Sequence, residues 1–212
     1  MSNATSNVMS GATSGATSGA TSGATSNVTS GDTFDTLRQL LPDWAKDTRV
    51  NLGIVASASA LTPRQAHLVA LACAAWGGQA RVIAATRGES AAHLDAAHVD
   101  AAFAAATVMA MNNVYYRFVH FMGDAADYAA MPARLRMQVI GKPGIDGLDF
   151  ELACLAVSAL GGCERCVRAH EQAIRERGGK KEQVHEAVRI ASVLAAATAA
   201  MRAAAAAAAS AA

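Results

Sequence analysis

Residues 161–170 read GGCERCVRAH, with two cysteines three apart and a histidine four residues after the second. Such a group can ligate zinc, lock a structural disulfide, bury two inert thiols, or cycle as a redox dithiol. On a helix, offsets of three and seven leave Cys163, Cys166 and His170 within about 60° of one face. His170 lies one turn beyond Cys166, the spacing at which side chains meet. The glycine pair ahead of Cys163 marks a helix start. Unsatisfied backbone N–H groups and the helix dipole favour a thiolate there.

Glu151 stands twelve residues before Cys163. If its helix and the next form an antiparallel hairpin about Gly161 and Gly162, Glu151 approaches His170 more easily than it approaches Cys163. The implied order is an orienting carboxylate (Glu151), a base (His170) and a nucleophile (Cys166). Zinc is the rival, because Cys163, Cys166, His170 and Glu151 could supply four ligands. However, the cysteine and histidine ligands all sit on one short helix, and the chain has no second Cys-x-x-Cys. A further alternative is an adaptor whose thiols only store a disulfide; Glu151 and His170 argue against it, since a passive bridge needs neither. Cys73 and Cys154 lie in apolar runs and read as core thiols. His67, His93, His98, His120 and His185 have no matching partners.

Several helices must position these residues. TFDTLRQLL puts Phe34, Leu37, Leu40 and Leu41 on one stripe, closed by Pro42. Thr62, Pro63 and Gln65 make an N-cap, a first-turn proline and a capping box, and Gly77–Gly78 ends that helix. A long helix is predicted over about residues 95–122, with Phe103, Ala106, Ala110, Val114 and Phe118 as its apolar stripe. Asn112, Asn113 and Arg117 interrupt it and read as a structural hydrogen-bond network. Asp149 is the expected cap of the helix carrying Glu151. A last helix places Val184, Val188, Ala191 and Ala195 on one face.

An internal echo links the halves. Shifted by 84 residues, Gly77 and Gly78 fall on Gly161 and Gly162, and Arg81 falls on Arg165. His67, Gln79, Val82 and Thr86 then occupy the places of Glu151, Cys163, Cys166 and His170. Two related helical halves follow, with the chemistry in one.

Composition bounds the rest. Apolar residues make up 52% and aromatics only 5%, most of the apolar content being alanine, which favours an all-α fold. A net charge of +1 gives no electrostatic case for nucleic acid or an anionic membrane. The N-terminus carries no secretory signal pattern. The alanine-rich C-terminal run, broken by Arg202, is a weak membrane span. The expected location is cytoplasmic, where a close cysteine pair is more often catalytic or metal-binding than a permanent staple. The Ser-Gly-Ala-Thr repeats predict a disordered leader over residues 1–32. A helical domain is expected over residues 33–200, and an Ala-rich frayed tail over residues 201–212.

The stretch FELACLAVSALGGCERCVRAHEQAIR closely resembles the alkyl hydroperoxidase D (AhpD) family, within the carboxymuconolactone decarboxylase-like superfamily. LPDWAKDTRVNL, MAMNNVYYRF, LRMQVIGKPGI and the final helix share the likeness, which covers roughly residues 33–200. The resemblance implies an all-helical homotrimer with antioxidant thiol peroxidase activity. It implies reduction of organic hydroperoxides and recycling of a partner peroxiredoxin, alkyl hydroperoxide reductase C. The implied electron source is dihydrolipoamide on a lipoylated 2-oxo acid dehydrogenase component, with no tightly bound cofactor or metal. By the same resemblance, Cys166 is the peroxidatic cysteine, which passes through a sulfenic acid and forms the mixed disulfide with the partner. Cys163 is the resolving cysteine and proton donor, pairing with Cys166 in the redox disulfide. Glu151 and His170 form the proton relay. The family commonly has a histidine between the cysteines; this chain has Arg165. A fixed cation can favour a nearby thiolate but cannot shuttle protons at neutral pH.

Overall fold

The computed structural model describes residues 31–123 and 125–210, so the expected leader lies outside the described residues as far as position 30. Every regular element among the described residues is helical. The order is α1 (Phe34–Leu40), a 3-10 turn (Asp43–Ala45), α2 (Lys46–Asn51), α3 (Ile54–Ser57), α4 (Pro63–Gly77) and α5 (Ala80–Ser90). Then come α6 (Ala96–Met122), a second 3-10 turn (Ala125–Ala130), α7 (Gln138–Gly141), α8 (Gly147–Leu160), α9 (Glu164–Glu176) and α10 (Lys181–Ser210).

Two helices form the centre. From Gln65 to Ala74 α4 is buried on every face, and so is α8 from Asp149 to Ser158. Their alanines let neighbouring backbones approach closely, while Leu152 and Leu155, both fully buried, each contribute roughly 1.5–3 kcal/mol of apolar burial. The long helices α6 and α10 pack against this pair. α10 is long and apolar enough to cross a membrane, but Ile190, Leu194 and Ala197 turn its apolar face into the protein core.

The echo in the sequence is an architectural repeat. α4, α5 and α6 are followed in the same order by α8, α9 and α10. Gln65 and Asp149, 84 positions apart, meet across the centre, with Gln65 Nε2 donating to Asp149 Oδ1 at 2.7 Å. Both halves use glycine for the turn between their first two helices. Gly78 and Gly162 adopt φ of +70° and +64°, a conformation costly for other residues. The carbonyls just before them receive matching arginines: Arg202 donates to Gly77 O and Arg117 to Gly161 O.

Capping at Thr62 is as the sequence predicts. Thr62 Oγ1 accepts from Gln65 N at 3.2 Å and Gln65 Oε1 accepts from Thr62 N at 3.0 Å. Two expectations need correction. Asp146, not Asp149, caps α8, accepting from Leu148 N at 2.8 Å and Asp149 N at 3.2 Å. Asp149 lies inside the first turn, where its carboxylate serves Gln65 instead. On α6 the stripe is rotated: Ala110, Val114 and Phe118 are exposed, whereas Met109, Asn112 and Asn113 are buried. The inward face, which meets α8 and α9, is built mainly of alanines with Val108, Met109 and the two asparagines, and larger apolar side chains such as Val114 and Phe118 are left outside. Helix α5, which the pattern reading did not single out, is capped by Gln79, whose side chain accepts from Val82 N at 2.9 Å.

Candidate active site

The site is assembled from three helices. Cys163 is the N-cap of α9, its Sγ accepting from Cys166 N at 3.3 Å. Cys166 sits in the first turn, and the two sulfurs are joined in a disulfide across a Cα–Cα distance of 5.3 Å. Cys163 is 1% exposed and Cys166 6%. The difference matters, because Cys166 and not Cys163 lines a cavity of about 280 Å³. The cavity walls include Asn112 and Tyr116 from α6, Met137 and Ile140 from around α7, and Arg165 and His170 from α9.

Antiparallel packing of α8 and α9 brings Glu151 to His170. Glu151 Oε2 lies 2.6 Å from His170 Nδ1, and both side chains are buried. A carboxylate at Nδ1 accepts a hydrogen bond from the N–H of that nitrogen, which leaves Nε2 as the ring's proton-accepting position. Nε2 faces Met109 Sδ at 3.1 Å, and Ser158 Oγ donates to the same sulfur at 3.3 Å. Among the described residues, no hydrogen bond joins His170 to either cysteine. His170 and Cys166 instead share the cavity wall.

Three residues at this site went unread in the sequence as site residues. Arg177 Nη2 lies 3.8 Å from Glu151 Oε1, so the carboxylate is held between an imidazole and a guanidinium. Its signal is its place at the C-cap of α9, two turns past His170 on the same face. Met109 and Tyr116 share a face of α6 with Asn112 and Asn113, at helical spacings. The polar cluster on α6 itself divides in two. Asn113 Nδ2 donates to Val157 O at 3.3 Å and Arg117 to Gly161 O, tying down the end of α8. Asn112 faces the cavity.

Arg165 is exposed at the cavity mouth, its guanidinium 5.1 Å from the centre of the Tyr116 ring. It supplies positive charge beside Cys166 without a dissociable proton. Cys73 and Cys154 are free and buried. Burial pushes both thiols up, and the Glu151 charge adds to the effect at Cys154. Of the remaining histidines, His67 stacks on His93 with ring centroids 4.2 Å apart. Among the described residues, no three His, Cys, Asp or Glu side chains are grouped as a metal ion would need.

A family model described as the carboxymuconolactone decarboxylase family matches residues 126–209, which include the whole dithiol segment. The chain is 50% identical over 165 residues to alkyl hydroperoxide reductase AhpD of Anaeromyxobacter sp. (strain K), covering 78% of this chain and 88% of that protein. It is 46% identical over 162 residues to a protein of the same name from Brucella anthropi, with 76% and 92% covered. A third relative of that name, from Methylocella silvestris, is 47% identical over 165 residues, with 78% and 92% covered.

Proposed function

Because this chain belongs to the family of alkyl hydroperoxide reductase AhpD, we propose that it is a thiol peroxidase reducing organic hydroperoxides through Cys166 and Cys163. The observation carrying this reading is the Cys163–Cys166 disulfide with its second sulfur on a cavity shared with the Glu151-held His170. His170 takes the Cys166 proton, and the thiolate attacks the terminal oxygen of the hydroperoxide. The S–O bond forms and the O–O bond breaks. Cys166 becomes a sulfenic acid, and the alkoxide leaves as the alcohol after taking the proton from His170. Cys163 then attacks Cys166 Sγ, releasing water and restoring the disulfide.

Reduction runs through the same cavity. A dithiol attacks Cys166 Sγ, forms a mixed disulfide there and expels Cys163 as a thiolate. That leaving group is the N-cap sulfur, facing the Cys166 N–H and the positive end of α9, which favours its departure. Dihydrolipoamide, carried by a lipoylated 2-oxo acid dehydrogenase component, is the proposed donor. The reduced pair also regenerates a partner peroxiredoxin, alkyl hydroperoxide reductase C, by disulfide exchange at Cys166. A cytoplasmic location suits a dithiol that must be kept reducible. A homotrimer is the proposed assembly, supported by the exposed apolar ridge of Val114, Phe118 and Phe121 on α6.

The test is turnover of cumene hydroperoxide with dihydrolipoamide by purified protein. The wild type is expected to turn over and Cys166→Ser to be inactive. No turnover, or equal rates in the two, would refute the enzyme. One equivalent of zinc on the reduced protein would point to the metal-binding alternative instead.

A further inference from the structure

We infer that the side-chain amide of Asn112 is a catalytic residue of the peroxide step, donating a hydrogen bond to the oxygen that leaves when Cys166 attacks. The inference rests on the peroxidase reading above and adds a group to it. Asn112 is 5% exposed and lines the cavity with Cys166 and His170. Among the described residues its side-chain amide makes no hydrogen bond, so its Nδ2 hydrogens are left for a ligand; its Oδ1 is buried without a partner, as are Asn113 Oδ1 and Thr198 Oγ1. Of these three residues only Asn112 lines the cavity, where an unbonded N–H donor is available to a bound molecule.

The repeat provides an internal control. α10 covers α4 and α5 as α6 covers α8 and α9, with Arg202 matching Arg117 over the two glycine carbonyls. Thr198 contacts Gly77 as Asn113 contacts Gly161, so a polar residue is retained there in both halves. One position earlier the halves part company. Ala197, fully buried, stands where Asn112 stands, and Leu194 where Met109 stands. In that half Val82 replaces Cys166 and Thr86 replaces His170. Packing of this helix pair is thus satisfied by alanine, and the amide occurs only beside the redox sulfur.

The chemistry calls for such a donor. Attack by the Cys166 thiolate on the terminal oxygen moves an electron pair onto the alkyl-bearing oxygen, which carries negative charge until His170 returns the proton. An amide N–H preset at that oxygen stabilises charge that exists only as the O–O bond breaks. The apolar walls of Met137 and Ile140 would take the alkyl group.

The test separates the two half-reactions in Asn112→Ala, the residue of the other half, and Asn112→Leu, with melting curves run on both. Stopped-flow oxidation of the reduced protein by cumene hydroperoxide is expected to slow on the order of ten- to a hundred-fold. Reduction of the Cys163–Cys166 disulfide by dithiothreitol should stay within about twofold of wild type in the same samples, since that half-reaction develops no charge on the peroxide oxygen. The slowing should grow with hydroperoxides whose alcohols are weaker acids, which a merely structural role would not produce. Unchanged oxidation in a folded variant, or equal slowing of both half-reactions, would overturn the role of Asn112. A wild type that hydroperoxide does not oxidise would instead overturn the peroxidase reading.

Discussion

The residues of the candidate site divide by how far apart they lie in the chain. Cys163, Cys166 and His170 were legible in the sequence because one helix fixes their common face. Glu151 was legible because a glycine turn folds its helix back along the next. Met109 and Asn112 reach the site from α6, and no local spacing relates them to Cys166. Asn112 was seen as a buried polar residue, but its neighbour Asn113 makes the structural bond that both were expected to share. The Glu151–His170 contact at 2.6 Å carries its own prediction. His170→Ala removes the proposed base and should lower hydroperoxide turnover by about a hundredfold or more. Glu151→Gln keeps the size of the side chain, removes its charge and should give a smaller loss. Steady-state rates with dihydrolipoamide across pH 6–8 check this, and wild-type rates in both variants would remove the relay from the mechanism.

Helix starts and stops were legible wherever a cap or glycine acts alone. Thr62 and the Gly161–Gly162 pair are instances. The α8 cap was misread because Asp146 and Asp149 are both acidic and only packing against Gln65 distinguishes them. The rotation of α6 was illegible because its outer face carries Val114, Phe118 and Phe121, which outweigh the buried alanines in any apolar count. The glycine pair ahead of the cysteines is open to direct test. A Cβ at Gly161 would run into the Asn113 amide, whereas one at Gly162 finds only Arg117 Nη1 at 3.9 Å but imposes φ of +64° on an alanine. Gly161→Ala should therefore cost about 1–3 kcal/mol by overpacking and Gly162→Ala about 1–2 kcal/mol by backbone strain. Urea unfolding measures both, and neutral substitutions would show that the turn is not held as described.

Across the whole molecule, the repeat sets the two halves side by side, and they differ at the site positions. The halves share their turns and arginine straps, while the second set of site positions is filled by His67, Gln79, Val82 and Thr86. His67, the counterpart of Glu151, is buried. Burial first, and the charge of His93 second, bring its pKa down from 6.5 to about 4. The folded protein keeps His67 neutral at pH values where the unfolded chain would protonate it. Its contribution to stability is complete above pH about 6.5 and is lost as pH falls toward 4. Between pH 7 and pH 5 the wild type should therefore lose about 2 kcal/mol more than His67→Gln in urea titrations. The same pH dependence in both proteins would show that His67 protonates freely in the fold. The sequence revealed the repeat through its glycines, but not that Gln65 and Asp149 pair across its centre, because only the folded backbone brings them together.

The most direct test of the account is to locate the first oxidised sulfur. In Cys163→Ser, one equivalent of cumene hydroperoxide followed by dimedone should label Cys166 as a sulfenic acid, read by peptide mass spectrometry. Cys166→Ser should give no adduct at Cys163. An adduct on Cys163, with none on Cys166, would contradict the assignment of Cys166 as the attacking thiol.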